Sequence, residues 1–314
     1  MRRALLFVAL LLGTGLLPSP GRASTGTAAF APVDPGVRAA ALGGAFSALG
    51  GQPISMYWNP AGLYYQEDRS LEASYSSLYG LGLAKRTFLT LGVKSVLDQP
   101  RFRGQNVQVL EDRRTGPAYA LGIQSLFLDV GDSGYSELSV GAAAAWGYDD
   151  RLAVGLSLRG LFVSSDFSDV SATGYDLGAG LTFRVSERER LALAAPNLIS
   201  RLFWKFDTTE RLPFRVVAGW ARQWSRTVVT TAEAEWREGE DGPYRLAAGA
   251  EWWVFPDRLA LRTGYRRLRG GLKNVSKPTF GAGVRFGKVT FDYAFRLEPD
   301  LLGDTHRIGI LTRF

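Results

Sequence analysis

The sequence predicts an all-β fold: a transmembrane antiparallel β-barrel of about fourteen strands, with an N-terminal hatch or plug segment inside the lumen. Three observations carry this. The chain opens on an export leader, most of the remainder alternates with period two, and the last residue is an aromatic, Phe314.

The leader has a basic start, Met1-Arg2-Arg3, an apolar stretch over 4–17 and a turn-prone tail in which Gly21 and Ala23 stand at cleavage spacing. This is the pattern of a signal peptide over 1–23, cleaved after Ala23, with Ala29 as second choice. The chain has no cysteine, which excludes a lipoprotein, a disulfide and a thiolate metal site. Beyond the leader no run of about 18 apolar residues occurs, which excludes membrane-spanning helices. The formal charge is +7, and loss of Arg2, Arg3 and Arg22 with the leader brings it to about +4. The remaining charges are scattered along strands, so no basic stripe points to nucleic acid.

Residues 24–70 precede the strands. The stretch 37–49 is small, apolar and rich in glycine, too short for a stable exposed helix. The run Tyr57-Trp58-Asn59-Pro60-Ala61-Gly62-Leu63 contains an Asn-Pro turn signal. A segment this apolar is expected to fold into the lumen. Its candidate hatch or gate residues are Gly36, Arg38, Gly43, Gly44, Phe46, Trp58, Asn59, Pro60 and Gly62.

From residue 71 to 314 the alternation predicts strands at 71–79, 87–95, 117–127, 135–147, 151–163, 174–185 and 190–199. Further strands are predicted at 212–223, 226–237, 244–254, 258–268, 278–286, 289–297 and 305–314. The number is even, as single-chain bacterial barrels require. Short connections (148–150, 186–189, Ser225, 255–257, 287–288) alternate with longer ones, as periplasmic turns and outer loops do. The long connection 96–116 breaks that rule and has room for another hairpin, which would make the number sixteen. Aromatics near strand ends (Tyr79, Trp220, Trp236, Tyr244, Trp252, Tyr265) suit interfacial girdles. In the last strand Ile308, Ile310, Thr312 and Phe314 share one face, the pattern of a C-terminal strand handed to the barrel-assembly machinery.

The run 36–46 and the Asn-Pro-Ala-Gly motif at 59–62 resemble the N-terminus of the PorV/PorQ family, within the FadL-like superfamily of outer-membrane barrels. Pro196-Asn197-Leu198, Leu212-Pro213-Phe214-Arg215 and Thr305-His306-Arg307 resemble later segments of it. The resemblance implies a fourteen-stranded barrel with an N-terminal hatch in a Gram-negative outer membrane. It implies passive passage of hydrophobic or amphipathic small molecules, or else a non-enzymatic role in type IX-like secretion that binds cargo or partner proteins.

The register predicts lumen charges at Arg159, Arg215, Glu233, Glu235, Arg245, Glu251, Arg262, Arg285, Asp292 and Arg296, together with Arg258, Arg266, Arg307 and Arg313. Such charges brace the wall in pairs, or their arginine excess favours an anionic group. The single histidine, His306, falls on the lipid-facing parity at the outer rim, with Ser77 expected near it. A serine–histidine hydrolase on that pair lacks an orienting third group, so no catalytic residue is assigned. No cofactor or metal motif appears.

Overall fold

The computed structural model describes residues 29–30, 34–66, 69–78, 84–95, 116–130, 133–148, 151–166, 170–238, 243–270, 273–298 and 303–314. The leader, Tyr79 and all but the last residue of the 96–116 connection lie outside the described residues. No described helix is long and apolar enough to cross a membrane.

Fifteen strands form one sheet. They are β1 (Ser70–Leu78), β2 (Ala84–Lys94), β3 (Ala118–Val130), β4 (Ser133–Tyr148), β5 (Leu152–Ser165), β6 (Ser171–Ser186), β7 (Glu189–Trp204), β8 (Thr209–Glu210), β9 (Arg215–Gln223), β10 (Val228–Arg237), β11 (Pro243–Phe255), β12 (Leu259–Gly270), β13 (Lys273–Phe286), β14 (Val289–Arg296) and β15 (Thr305–Arg313). Fourteen of them pair antiparallel around a closed ring, which removes the sheet edges except where the β7–β9 ladder stops short. The ring closes where β15 meets β1, with Ser77 opposite His306, and the Phe314 amide continues the ladder onto the Arg69 carbonyl. The two-residue β8 stands outside the ring and pairs only with the end of β7.

The polarity is inverted relative to a soluble sheet. Leu121, Leu156, Leu158, Leu193 and Ile308 are among the large apolar side chains that stand exposed on the outer face, whereas Arg86, Glu137, Asp176, Glu233 and Arg262 are buried. Only lipid around the barrel reconciles these two facts. Outward aromatics cluster near both ends of the strands. Trp146, Tyr148, Phe255, Phe286 and Phe314 lie toward the short turns, and Phe127, Phe162, Phe203, Trp236 and Tyr265 toward the longer loops. The short-turn end is the periplasmic one for a barrel of this build.

The strands depart from the sequence pattern mainly at their ends. β7 runs to Trp204 because residues 201–204 keep pairing with β6. β9 starts at Arg215, after Pro213, a residue that cannot donate to a ladder. The turn expected at Ser225 alone spans 224–227, where the Ser225 hydroxyl accepts from the Thr227 and Val228 amides. In β7 the three residues 196–198 stand opposite Gly178 alone, a bulge larger than the usual two against one. There the β7–β9 ladder also stops, at Ala194 opposite Val217. Side chains bridge the wall beyond that point, with Asn197 Nδ2 donating to the Pro213 carbonyl at 3.2 Å and Leu212 N donating to Ser200 Oγ at 2.9 Å.

Residues 34–66 pack against the inward faces of the strands. They form α1 (Val37–Ala41), α2 (Ser55–Trp58) and a 3-10 helix (Pro60–Tyr65). The segment reaches the wall backbone where the strands carry inward glycines. A Cβ at Gly249 would stand 2.7 Å from the Leu42 carbonyl oxygen, and one at Gly281 2.5 Å from the Ala41 Cβ. Inward glycines thus make the clearance that lets a folded chain fill the lumen.

Leu158 lies near the middle of β5 with its side chain 52 % exposed. Leu158→Arg is expected to destabilise the bilayer-embedded barrel by about 2–4 kcal/mol, and Leu158→Ala by clearly less. Urea unfolding in lipid vesicles measures both.

Candidate functional site

The site is the seam between residues 34–66 and the lumen wall. Its centre is Asp34, which is 6 % exposed. Arg266 Nη1 donates to Asp34 Oδ2 at 2.5 Å and Arg296 Nη1 at 3.2 Å, while Arg307 donates to its main-chain carbonyl. Arg245 lies 3.9 Å from Oδ1. These arginines come from β11, β12, β14 and β15, so one residue, through its carboxylate and its main-chain carbonyl, ties the segment to much of the wall. Burial alone pushes this carboxyl upward, but Arg266, Arg307, Arg296 and Arg245 hold it well below the ordinary carboxylate range.

Two more ties flank it. Arg38 makes a two-pronged pair with Glu251, at 2.7 and 2.8 Å, and Arg262 Nε donates to the same carboxylate at 2.6 Å. Arg262 continues to Asp292 at 2.6 Å. On the other side Glu233 accepts the Phe46 and Ser47 amides at 3.1 and 2.9 Å and also pairs with Arg245. Arg245 reaches Glu235 at 3.0 Å and donates to the Gly44 carbonyl at 2.9 Å. Buried charges persist only with such partners.

The remaining segment residues are fixed by shape and hydrogen bonds. Gly36, Gly43 and Gly44 have φ of 79°, 70° and 83°, a region where a side chain is strained. Phe46 is fully buried and packs 6.2 Å from the Trp58 ring. Trp58 Nε1 donates to the Pro35 carbonyl at 2.9 Å. Asn59 caps the 3-10 helix by accepting the Ala61 amide at 3.1 Å, and its Nδ2 reaches the Ser47 and Leu181 carbonyls at 3.0 and 3.1 Å. Pro60 opens that helix, and Gly62 lies against Gly50, whose amide neighbour Gly51 donates to the Gly62 carbonyl at 2.9 Å.

Arg159 pairs with Asp176 apart from the Asp34 cluster, while Arg215 joins the cluster through Glu235, which also holds Arg245. Arg285 points into the periplasmic mouth and meets the largely exposed Asp257. Arg258 departs from expectation: it lies exposed in the 256–258 turn, beyond the strand, and not in the lumen. His306 faces outward opposite Ser77, but its Nδ1 is 2.8 Å from the Tyr293 hydroxyl, and among the described hydrogen bonds none joins it to Ser77.

Sequence reasoning missed Asp34, Arg86, Glu137 and Asp176. Asp34 had a signal: it is the only acidic residue in 24–66. The other three stand on inward parity within β2, β4 and β6.

The segment divides the interior. Toward the outer loops lies a cavity of about 100 Å³, lined by Phe30, Pro35, Tyr57, Trp58, Pro196 and Val217 together with Arg86, Arg159, Arg215, Arg245 and Arg266. Toward the short turns lie larger hollows of about 380 and 670 Å³. Fold and lumen together define a transmembrane barrel whose interior is occupied by its own N-terminal segment.

No protein-family model matches the chain, and no curated protein does. Solved structures do. The toluene transporter TbuX of Ralstonia pickettii is 15 % identical, with a TM-score of 0.59 over 89 % of this chain and 98 % of that one. The monoaromatic hydrocarbon channel CymD is 14 % identical, with a TM-score of 0.63 over 89 % and 97 %. A Pseudomonas aeruginosa FadL homologue is 13 % identical, with a TM-score of 0.59 over 88 % and 98 %. At these identities the likeness establishes the fold alone, the barrel fold shared with these three structures. The narrower PorV/PorQ resemblance, and the secretion role it implies, find no support in these comparisons.

Replacing Asp34 by Asn leaves Arg266 and Arg296 buried without their shared carboxylate, a loss of about 3–5 kcal/mol for the packed segment. Asp34→Asn should therefore raise proteolysis and hydrogen exchange in 34–66 while the barrel stays folded. Because the carboxyl is held low in the packed state, its contribution is complete above the ordinary carboxylate range and is lost only as pH falls below it. Exchange of the wild-type segment should then show no Asp34-linked step between about pH 5 and 8.

Proposed function

We propose that the chain is an outer-membrane protein for passive passage of hydrophobic or amphipathic small molecules, with residues 34–66 acting as a movable hatch. One observation carries this reading. A buried, ion-paired segment separates an outer cavity from a periplasmic vestibule, in a barrel with the fold of proteins described as toluene transporters and monoaromatic hydrocarbon channels.

The outer cavity has the chemistry such a role asks for. Phe30, Tyr57, Trp58, Pro196 and Val217 offer apolar surface, and arginines stand beside it for a polar end. The interrupted wall at Pro196 and Asn197 borders the same cavity. It gives an apolar molecule dissolved in the outer leaflet a route inward that avoids the polar loops. The hatch then shifts, exchanging its ties to the wall for water, and the molecule moves to the periplasmic side. Lipid contacts the outer belt, and the C-terminal strand with Phe314 serves barrel assembly.

The chain has no cysteine, so an engineered pair is unambiguous. A Cβ at Gly219 would lie 3.4 Å from the Ala48 Cβ, close to disulfide spacing, and 2.2 Å from Ser47 Oγ, so the pair is made on a Ser47→Ala background that clears this hydroxyl. Ala48→Cys with Gly219→Cys should pin the segment to β9 when oxidised. Vesicles carrying this variant should take up toluene or a fatty acid when reduced and stop when oxidised. Uptake that ignores the crosslink would sink the hatch reading.

A further inference from the structure

We propose that the periplasmic mouth of the barrel is a binding site for a small organic carboxylate with a planar apolar body. Two hollows, of about 380 and 670 Å³, lie there between the segment and the short turns and share much of their lining. Arg38, Arg226, Arg285 and Arg313 line both, against the carboxylates Glu251 and Asp257. Glu251 is already held between Arg38 and Arg262. The Asp257 side chain is 85 % exposed, so its 2.8 Å pair with Arg285 is solvent-screened. Arg226, exposed in the 224–227 turn, is in no ion pair among the described residues. The lining is therefore rich in guanidinium donors.

A second observation is independent of charge. Thr290 is 3 % exposed, yet its Oγ1 has no hydrogen-bond partner among the described residues. Thr290 lines the larger hollow. The buried Nε of Arg285, which lines both hollows, is also without a partner among the described residues. Buried polar atoms are normally satisfied, so these mark a place that something else completes. The Arg285 guanidinium and the Thr290 hydroxyl can both donate to one carboxylate, whose oxygens only accept.

Flat surface stands beside the donors. Trp253 lines both hollows, with the Arg285 guanidinium 4.6 Å from its ring centre. Tyr65 lines the smaller, with Arg190 at 4.1 Å. Guanidinium for the head and indole for the body select an aromatic acid over inorganic phosphate, which shares the acceptor oxygens but has no body to stack. The site goes beyond the passage reading, because binding at equilibrium needs no hatch movement.

Calorimetry on the full chain in detergent micelles, with benzoate, acetate and inorganic phosphate as probes, tests this. The variants are Arg226→Ala with Arg285→Ala, and Trp253→Leu, each checked for the heat-dependent gel shift of a folded barrel. Benzoate should bind at least tenfold tighter than acetate or phosphate. The double arginine variant should weaken benzoate tenfold or more, and Trp253→Leu should bring it to the level of acetate. Benzoate affinity unchanged in the double arginine variant, or phosphate binding as tightly as benzoate, would overturn the proposal. Lost benzoate binding in wild type with disulfide-sensitive uptake intact would remove this site alone. Normal binding with crosslink-insensitive uptake would remove the hatch alone.

Discussion

Everything inside this barrel depends on one constraint: a charge taken out of water must meet its partner. The outer face is given to apolar side chains, so the polar residues of each strand are driven to the lumen. There they would be costly if left alone. Pairs within the wall, such as Arg262 with Asp292 and Arg159 with Asp176, satisfy some of them. Others draw part of their partners from the N-terminal segment, through Asp34, Arg38 and the amides of Phe46 and Ser47. Wall and segment are thus completed by each other. The same ties that hold the segment in place have water and ionic ligands as natural competitors, which links the packing of the lumen to its proposed use.

Steric clearance is the second requirement. A lumen bounded by fourteen strands is wide enough for a folded chain only if the wall presents small side chains where that chain passes. Gly249 and Gly281 do this for α1 and the turn after it, and Gly155 does it for the start of the 3-10 helix. Charge pairing and glycine clearance act at alternate inward positions of the same strands. The inward face therefore reads as a mixture of charge and glycine, while the outer face reads as leucine, valine and aromatics.

That mixture explains why the strands were legible. Period-two alternation between large apolar and small or charged residues survives in nearly every strand, so number, order and facing follow from local sequence. Strand ends were less legible, because they depend on neighbours: β7 lengthens only because β6 continues beside it, and β9 shortens after Pro213. The bulge at 196–198 was hidden because Pro196 and Asn197 sit within an otherwise regular apolar run. The segment's glycines and its Asn-Pro turn stood out as local features. Its main electrostatic tie did not, since Asp34 finds its arginines more than two hundred residues away. Its isolation as the one acid in the segment was the available clue.

The most direct test is a double-mutant cycle on Asp34 and Arg266, using Asp34→Asn, Arg266→Gln and the pair. It is read by hydrogen exchange of the amides in 55–65 with the barrel in bilayer discs. If the ion pair couples segment to wall, the single changes each speed exchange and the pair adds much less than their sum. A coupling of about 1–3 kcal/mol is expected for residues in direct contact. Additive effects, or exchange in 55–65 that neither change alters, would show that the segment is held by packing alone and would contradict the account.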